Sequence, residues 1–154
     1  MIQLKRILVP TDFSDASQNA LRYAMAFAEN FQAALDVLHV IVDPYVIPPG
    51  GEGYLPPTDY PQQLERVARQ HLDQWVPADW RKGRSVTLDC IHGAPFVEIV
   101  RYARAQQSDL IVMGTHGRGV IAHILLGSVA ERVVRKAPCP VLTVRPKEHE
   151  FVMP

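Results

Sequence analysis

The segment DLIVMGTHGRGVIAHILLGSVAE, residues 109–131, joins an apolar run to four glycines and then to the start of a helical pattern. A continuous apolar run of this length is typical of a strand buried on both faces of a parallel sheet. The last helix is predicted to begin near Ser128 and to end before Pro138. The segment therefore predicts a central strand, a glycine-rich connection and a helix.

The same alternation extends outward along the chain. Apolar strand patterns lie at residues 7–10, 34–42, 86–90, 109–114 and 140–146. Helical patterns separate them, with Ser14 as a predicted N-cap and Pro95 as a predicted first helical residue. Regular alternation of strands and helices predicts a parallel sheet with helices on both faces.

The character of each strand predicts its position in the sheet. The first and fourth strands are the most uniformly apolar and should be central, whereas the third alternates with Thr87 and Asp89 and should lie at an edge. We therefore predict a single-domain α/β protein over residues 1–154, a three-layer α/β/α sandwich with strand order 3-2-1-4-5. Ligands of such sheets bind where the connections diverge, here beyond the first and fourth strands.

Residues 43–61 contain six prolines and three glycines, a composition that predicts an exposed loop. Overall charge is balanced, with 16 Lys and Arg against 16 Asp and Glu, which argues against nucleic acid and membrane partners. The two cysteines, Cys90 and Cys139, form no disulfide pattern, and the start of the chain lacks a signal-peptide pattern. We therefore expect a cytoplasmic protein.

Two interpretations of the glycine segment are open. Gly114 and Gly117 could let backbone N–H groups approach a ligand, and the helix start at Gly127 and Ser128 could hold phosphate. Alternatively, the glycines are ordinary turn residues, and Ser128 forms a capping box with Glu131. For Asp12, the alternative to a ligand role is a cap on the first helix. His71 is assigned to partly buried packing on a helix face, and His39 to an alternating position within a strand. His92, His123 and His149 show no metal-ligand spacing with cysteines or acids.

The motif Gly114-x-x-Gly117, nine residues, then Gly127-Ser128 resembles the nucleotide-binding signature of the universal stress protein (UspA-like) family. The segments ILVPTDFS (7–14), SDLIVMGTHGRG (108–119) and LLGSVAERVVRKAPCPVLTV (125–144) extend the likeness over nearly the whole chain. The resemblance implies a Rossmann-like, adenine nucleotide alpha hydrolase-like fold and the ATP-binding branch of that family.

The resemblance also implies residue roles. Asp12 would fix the nucleoside, the backbone of Val40 would meet the adenine edge, and Met113 would line the base or ribose pocket. The remaining wall and phosphate positions that it implies are Pro10, Thr11, Gly114, His116, Gly117, Arg118, Gly127, Ser128 and Val129. The expected cofactor is ATP, or AMP or ADP, with Mg²⁺ as an accompanying ion held by the phosphates.

The last strand should expose a pairing edge, and in the resembled family this strand commonly pairs across a twofold axis. We therefore expect a homodimer through Val141, Leu142, Thr143 and Val144; a monomer with an edge protected by Pro140, Pro146 and the charged tail is the alternative. No P-loop lysine is present, so we expect a stress-response regulatory module rather than an enzyme. A slow ATPase or phosphotransferase and a structural interaction protein without nucleotide are the alternatives.

Overall fold

A computed structural model describes residues 1–42, 58–116 and 126–145. The elements in chain order are β1 (Arg6–Thr11), α1 (Asp15–Phe31), β2 (Ala34–Ile41), α2 (Tyr60–Trp75), α3 (Ala78–Arg81), β3 (Val86–His92), α4 (Pro95–Ala105), β4 (Leu110–Gly114), α5 (Ser128–Lys136) and β5 (Val141–Val144). Among the helices of the described part, none has both the length and the apolar composition needed to cross a bilayer.

The five strands form one parallel sheet of order β3-β2-β1-β4-β5, which confirms the predicted order. β1 pairs with β2 along its whole length, from Arg6 opposite Ala34 to Thr11 opposite His39. Its pairing with β4 is shorter and joins Ile7 to Leu110 and Leu8 to Ile111. The carboxyl ends of β1 and β4 extend beyond that ladder, so the crevice predicted there exists.

The two faces of the sheet carry separate apolar cores because successive strand residues point to opposite sides. One core joins Ile7 and Val9 of β1 to α1 and α2. The other joins Leu8 to α4 and α5, through side chains such as Ile99 and Val133. This is the three-layer α/β/α sandwich predicted from the alternation of elements.

Local boundaries confirm some sequence signals and correct others. Ser14 is the N-cap of α1, where its side-chain oxygen accepts a hydrogen bond from the Ser17 N–H, and Pro95 is in the first turn of α4, as predicted. Of the loop predicted over residues 43–61, residues 43–57 lie outside the described part of the chain. Its predicted end is too late, because α2 begins at Tyr60 with Pro61 in its first turn. The short helix α3 was missed, since four residues carry too little periodicity to detect.

The amino-terminal half of the sheet contains a buried ion pair that the sequence analysis did not predict. Asp36 on β2 is fully buried, and its two carboxylate oxygens accept hydrogen bonds from Arg6 Nη1 at 3.0 and 2.9 Å. Asp109, just before β4, accepts from the backbone N–H groups of Lys5 at 2.7 Å and Arg6 at 2.9 Å. These bonds fasten the start of β1 to both of its neighbours.

The pKa of Tyr102, close to the Arg6–Asp36 pair, is also shifted. The pKa of Tyr102 on α4 is raised to about 12, mainly by burial and then by the charges of Asp36 and Asp89, while Arg6 lowers it. The phenol therefore stays neutral at pH values where an ordinary tyrosine ionises. At this end of the sheet, the Arg6–Asp36 pair and Asp109 form hydrogen bonds within the protein, and Tyr102 is uncharged.

Candidate functional site

A cavity of about 680 Å³ lies at the carboxyl ends of the strands, where β1 and β4 separate. Its volume is in the range typical of small-molecule sites. Ten of the predicted site residues line it: Pro10, Thr11, Asp12, Val40, Met113, Gly114, His116, Gly127, Ser128 and Val129. The other two, Gly117 and Arg118, lie outside the described residues. The fold thus brings together residues that are up to 119 positions apart in the sequence.

One wall of the cavity is the corner that joins β1 to α1. Thr11 Oγ1 accepts a hydrogen bond from the Phe13 N–H at 3.0 Å, and Asp12 Oδ1 accepts from the Ser14 N–H at 3.0 Å. The buried hydroxyls of Thr11 and Ser17 lie 3.1 Å apart. Asp12 therefore does not cap α1, which is the role of Ser14; its carboxylate instead closes a turn in front of the helix.

A ring cluster that sequence analysis missed supports this corner. The ring of Phe13 lies 4.5 Å from that of His39 on β2, and 5.3 Å from the rings of His71 and Trp75 on α2. His71 was predicted to be partly buried, but it is exposed, although its ring packs against Phe13. All three residues, Phe13, His39 and His71, line the cavity. The register could have indicated His39, since it lies opposite Thr11 at the end of the neighbouring strand.

The hydrogen bond of His39 defines its neutral tautomer. Its Nδ1 lies 2.8 Å from the backbone oxygen of Thr11, and a carbonyl oxygen can only accept. Nδ1 therefore carries the hydrogen, and Nε2 of the neutral ring is an acceptor. The imidazole and the end of β1 are held in a fixed relation at the cavity wall.

The opposite wall is apolar. Val40 and Met113 are buried at 7% and 6% exposure, and they pack in one core with Leu38 of β2, Ile99 of α4 and Ala130 of α5. All five line the cavity. A flat apolar group such as a nucleobase can be desolvated against a wall of this kind.

The amino terminus of α5 forms the third wall. Gly127 is the N-cap, and among the described residues no side chain caps the helix. The alternative interpretation, a capping box of Ser128 with Glu131, is therefore excluded. Ser128 is instead the first helical residue, and Glu131 donates its backbone N–H to the Gly127 carbonyl at 2.9 Å. The N–H groups of the first turn have no partner within the helix and carry partial positive charge.

Thr115 connects this helix to the sheet. Its N–H donates to the Val144 carbonyl of β5 at 3.0 Å, and its carbonyl accepts the Gly127 N–H at 2.7 Å. Thr115 Oγ1 lies 3.0 Å from Nδ1 of His116. A Cβ on Gly127 would lie 3.1 Å from the Thr115 carbonyl oxygen, so a larger residue would strain this junction.

Gly114 lines the cavity and has a packing role that was not predicted. A Cβ at this position would lie 2.8 Å from the Cβ of Ala16 and 2.9 Å from the backbone carbon of Ala16. The absent side chain therefore permits close packing of β4 on the first turn of α1. It shapes the cavity by bringing two walls together, in addition to lining it.

The charges around the cavity are few. Among the described residues that line it, Asp12 is the one carboxylate, and no lysine or arginine is present. Within the same described ranges, no group of three His, Cys, Asp or Glu side chains could hold a metal ion. An anionic ligand part would therefore be met, on these walls, by backbone N–H groups and the dipole of α5.

This arrangement is that of the doubly wound α/β proteins, whose ligand sites lie where the strand order reverses. The family model of the universal stress protein family matches residues 3–145. The chain belongs to that family.

Individual universal stress proteins are similar to this chain over most of its length. A universal stress protein of Methanocaldococcus jannaschii, MJ0531, is 36% identical over 95% of this chain and 85% of its own length. The solved structure of MJ0577, named as a universal stress protein of the same organism, is 32% identical with a TM-score of 0.80 and covers 96% of this chain and 100% of its own. A universal stress protein from Archaeoglobus fulgidus, solved in complex with dAMP, is 25% identical with a TM-score of 0.63 over 94% of this chain and 99% of its own.

Proposed function

We propose that the protein binds an adenine nucleotide, most readily ATP, in the crevice between β1 and β4 and acts as a homodimeric regulatory module of the stress response. The carrying observation is the amino terminus of α5, which lines the cavity and has at its N-cap Gly127, a residue without a side chain. Such a helix start is a general site for phosphate groups. The dAMP bound by the relative from Archaeoglobus fulgidus supports the adenine nucleotide class.

The walls suggest how the ligand would lie. The base would pack against Val40 and Met113, and the ribose would lie beside Asp12. The phosphates would extend to the first turn of α5, with Ser128 and Val129 as donors. Gly117 and Arg118 belong to the proposed phosphate site on the resemblance alone, and Arg118 would supply its cation.

The dimer and the compartment are also part of the proposal. β5 is an edge strand, and its residues Val141, Leu142 and Thr143 are partly buried within the described chain. Pairing with a second β5 would satisfy that edge. Sedimentation at several concentrations tests it, and Thr143→Lys is expected to produce monomers. The free thiols Cys90 and Cys139 are compatible with a cytoplasmic location.

The first experiment is to denature freshly purified protein and identify any released nucleotide by chromatography and mass spectrometry. About one adenine nucleotide per subunit is expected, and titration of stripped protein with ATP, ADP, AMP and GTP ranks the ligands. Following the ATP to ADP ratio with time tests hydrolysis. Protein that is empty and gains no thermal stability from millimolar Mg-ATP would refute nucleotide binding.

A further inference from the structure

Phe13 has an unusual backbone conformation at the wall of the cavity. Its φ is 62°, in the left-handed region that bulky side chains rarely adopt. Strain of this kind persists only where the surroundings enforce it, and such positions cluster at ligand sites. Phe13 lies between Asp12 and the N-cap Ser14, so its conformation determines the backbone path from β1 to α1.

The side chain of Phe13 supplies the enforcing contacts. Its ring lies against His39 at an angle of 33° and meets His71 and Trp75 edge-on, at 84° and 81°. Tilted and edge-to-face pairs are the favoured arrangements of aromatic rings. The ring therefore attaches the corner to both β2 and α2, which are elements outside the corner itself.

The backbone of Phe13 transmits this attachment to Asp12. With Phe13 left-handed, its own N–H reaches Thr11 Oγ1 and the next N–H, of Ser14, reaches Asp12 Oδ1, each at 3.0 Å. A change in the φ of Phe13 would swing the Ser14 N–H away from that oxygen. The carboxylate would then lose one of the bonds that orient it.

We propose that Phe13 is a positioning residue, whose ring contacts with His39, His71 and Trp75 hold the Asp12 carboxylate in the orientation that binds the nucleoside. This inference rests on the proposed nucleotide function. It assigns to helix α2 a part in nucleoside affinity, although α2 carries none of the nucleotide motif. It also predicts that the triphosphate contributes to ATP affinity independently of Phe13.

The central test compares Phe13→Asn with Phe13→Tyr by calorimetric titration with adenosine and with ATP. Asn tolerates the left-handed backbone but lacks the ring, whereas Tyr keeps the ring. Phe13→Asn is expected to weaken both ligands by the same factor, about ten-fold, and Phe13→Tyr to bind like the wild type. Wild-type affinity in folded Phe13→Asn would overturn the role of the ring.

A double-mutant cycle tests whether Phe13 acts through Asp12. In an Asp12→Asn background, Phe13→Asn is expected to cause little further loss of adenosine affinity, because the oriented carboxylate is already gone. Full additivity of the two losses would refute the proposed route. Trp75→Leu, which alters a contact of the ring from a residue that does not line the cavity, is expected to give a smaller loss that disappears in the same background.

Leu4→Ala is the matched control for stability, because Leu4 packs against the same core far from the cavity. It should lower the unfolding midpoint without changing adenosine affinity. If Phe13→Asn does not fold, Trp75→Leu decides the proposal, and unchanged adenosine affinity there overturns it. Wild-type protein that binds neither adenosine nor ATP would instead refute the nucleotide function itself, so the two failures are distinguishable.

Discussion

The two ends of the sheet treat their polar groups differently. At the amino end, Arg6 and Asp36 satisfy each other, and Asp109 accepts two backbone N–H groups from the start of β1. At the carboxyl end, the first turn of α5 lines the cavity, and the N-cap of this helix is Gly127, which has no side chain. Polar groups that bond to one another at the amino end stabilise the fold. At the carboxyl end, the first N–H groups of α5 have no partner within the helix and therefore suit a ligand. Substitutions at the two ends should therefore separate stability from binding.

The largest loss of stability is expected from Arg6→Met, which leaves the fully buried Asp36 carboxylate without its partner. We expect the free energy of unfolding to fall by about 3 kcal/mol, the lower part of the range for broken buried pairs, because the Arg6 side chain is 34% exposed. Urea unfolding measures this change. Nucleotide affinity of the folded protein should not change.

The control for Arg6→Met is the double variant with Asp36→Leu, which removes both charges. Replacing a buried pair by apolar side chains is often neutral, so most of the lost stability should return. A single variant within about 0.5 kcal/mol of the wild type would show that the pair contributes little.

Gly114→Val should lower both stability and nucleotide affinity, because it adds a side chain where β4 meets α1. Its Cβ would lie within 3 Å of Ala16 backbone and side chain, and overpacking of this kind costs about 2 kcal/mol. Thermal unfolding and ATP titration should both show a loss. Gly83→Asn is the control, since φ is +74° there and the space around it is open. Equal behaviour of the two variants would contradict the packing role of Gly114.

Ser128→Pro should affect binding with little loss of stability. Proline fits the first helical position, and Gly127 before it already has the extended conformation that precedes proline, with φ −67° and ψ 156°. The variant removes one N–H donor and the hydroxyl, so ATP affinity should fall by about ten-fold. Ser128→Ala keeps the N–H and isolates the hydroxyl. Unchanged ATP affinity in Ser128→Pro would refute phosphate binding through this N–H.

The smallest effect concerns alkaline pH at the amino end. The pKa of Tyr102 is raised from 10.0 to about 12 in the folded protein, so the unfolded chain loses its phenolic proton first. Stability from this group is present below pH 10 and is lost as the pH rises towards about 12. In Tyr102→Phe, the free energy of unfolding should depend less on pH between 10 and about 12. Because the chain has five tyrosines, the titration of Tyr102 is read from the difference in phenolate absorbance between the folded wild type and folded Tyr102→Phe. A difference that appears near pH 10 would contradict the shift.

The sequence predicted the architecture well because periodicity and apolar content directly report burial. The polar alternation of residues 86–90 placed β3 at an edge, and the apolar runs placed β1 and β4 inside. Ten of the positions that line the cavity are ones that the family resemblance implied. Of the two interpretations left open for Ser128, the structure excludes the capping box, and the packing of Gly114 on Ala16 was not predicted.

What the sequence could not predict depends on contacts between distant segments. The Arg6–Asp36 pair requires the register of two strands, and the ring cluster of Phe13 requires the docking of α2. No local pattern encodes either. A lone acid within the apolar run at residues 34–42 was the one local signal of a buried partner.

The contact of Gly114 with Ala16 restricts how this chain can change its sequence. A methyl group at 114 would meet the Ala16 backbone as well as its side chain, at 2.9 Å from the carbonyl carbon and 3.1 Å from the carbonyl oxygen. Glycine at position 16 would therefore not make room for it, and would itself cost about 1 kcal/mol of helix stability in α1. A side chain at 114 requires α1 to move as a whole, so libraries that vary the site should hold position 114 fixed.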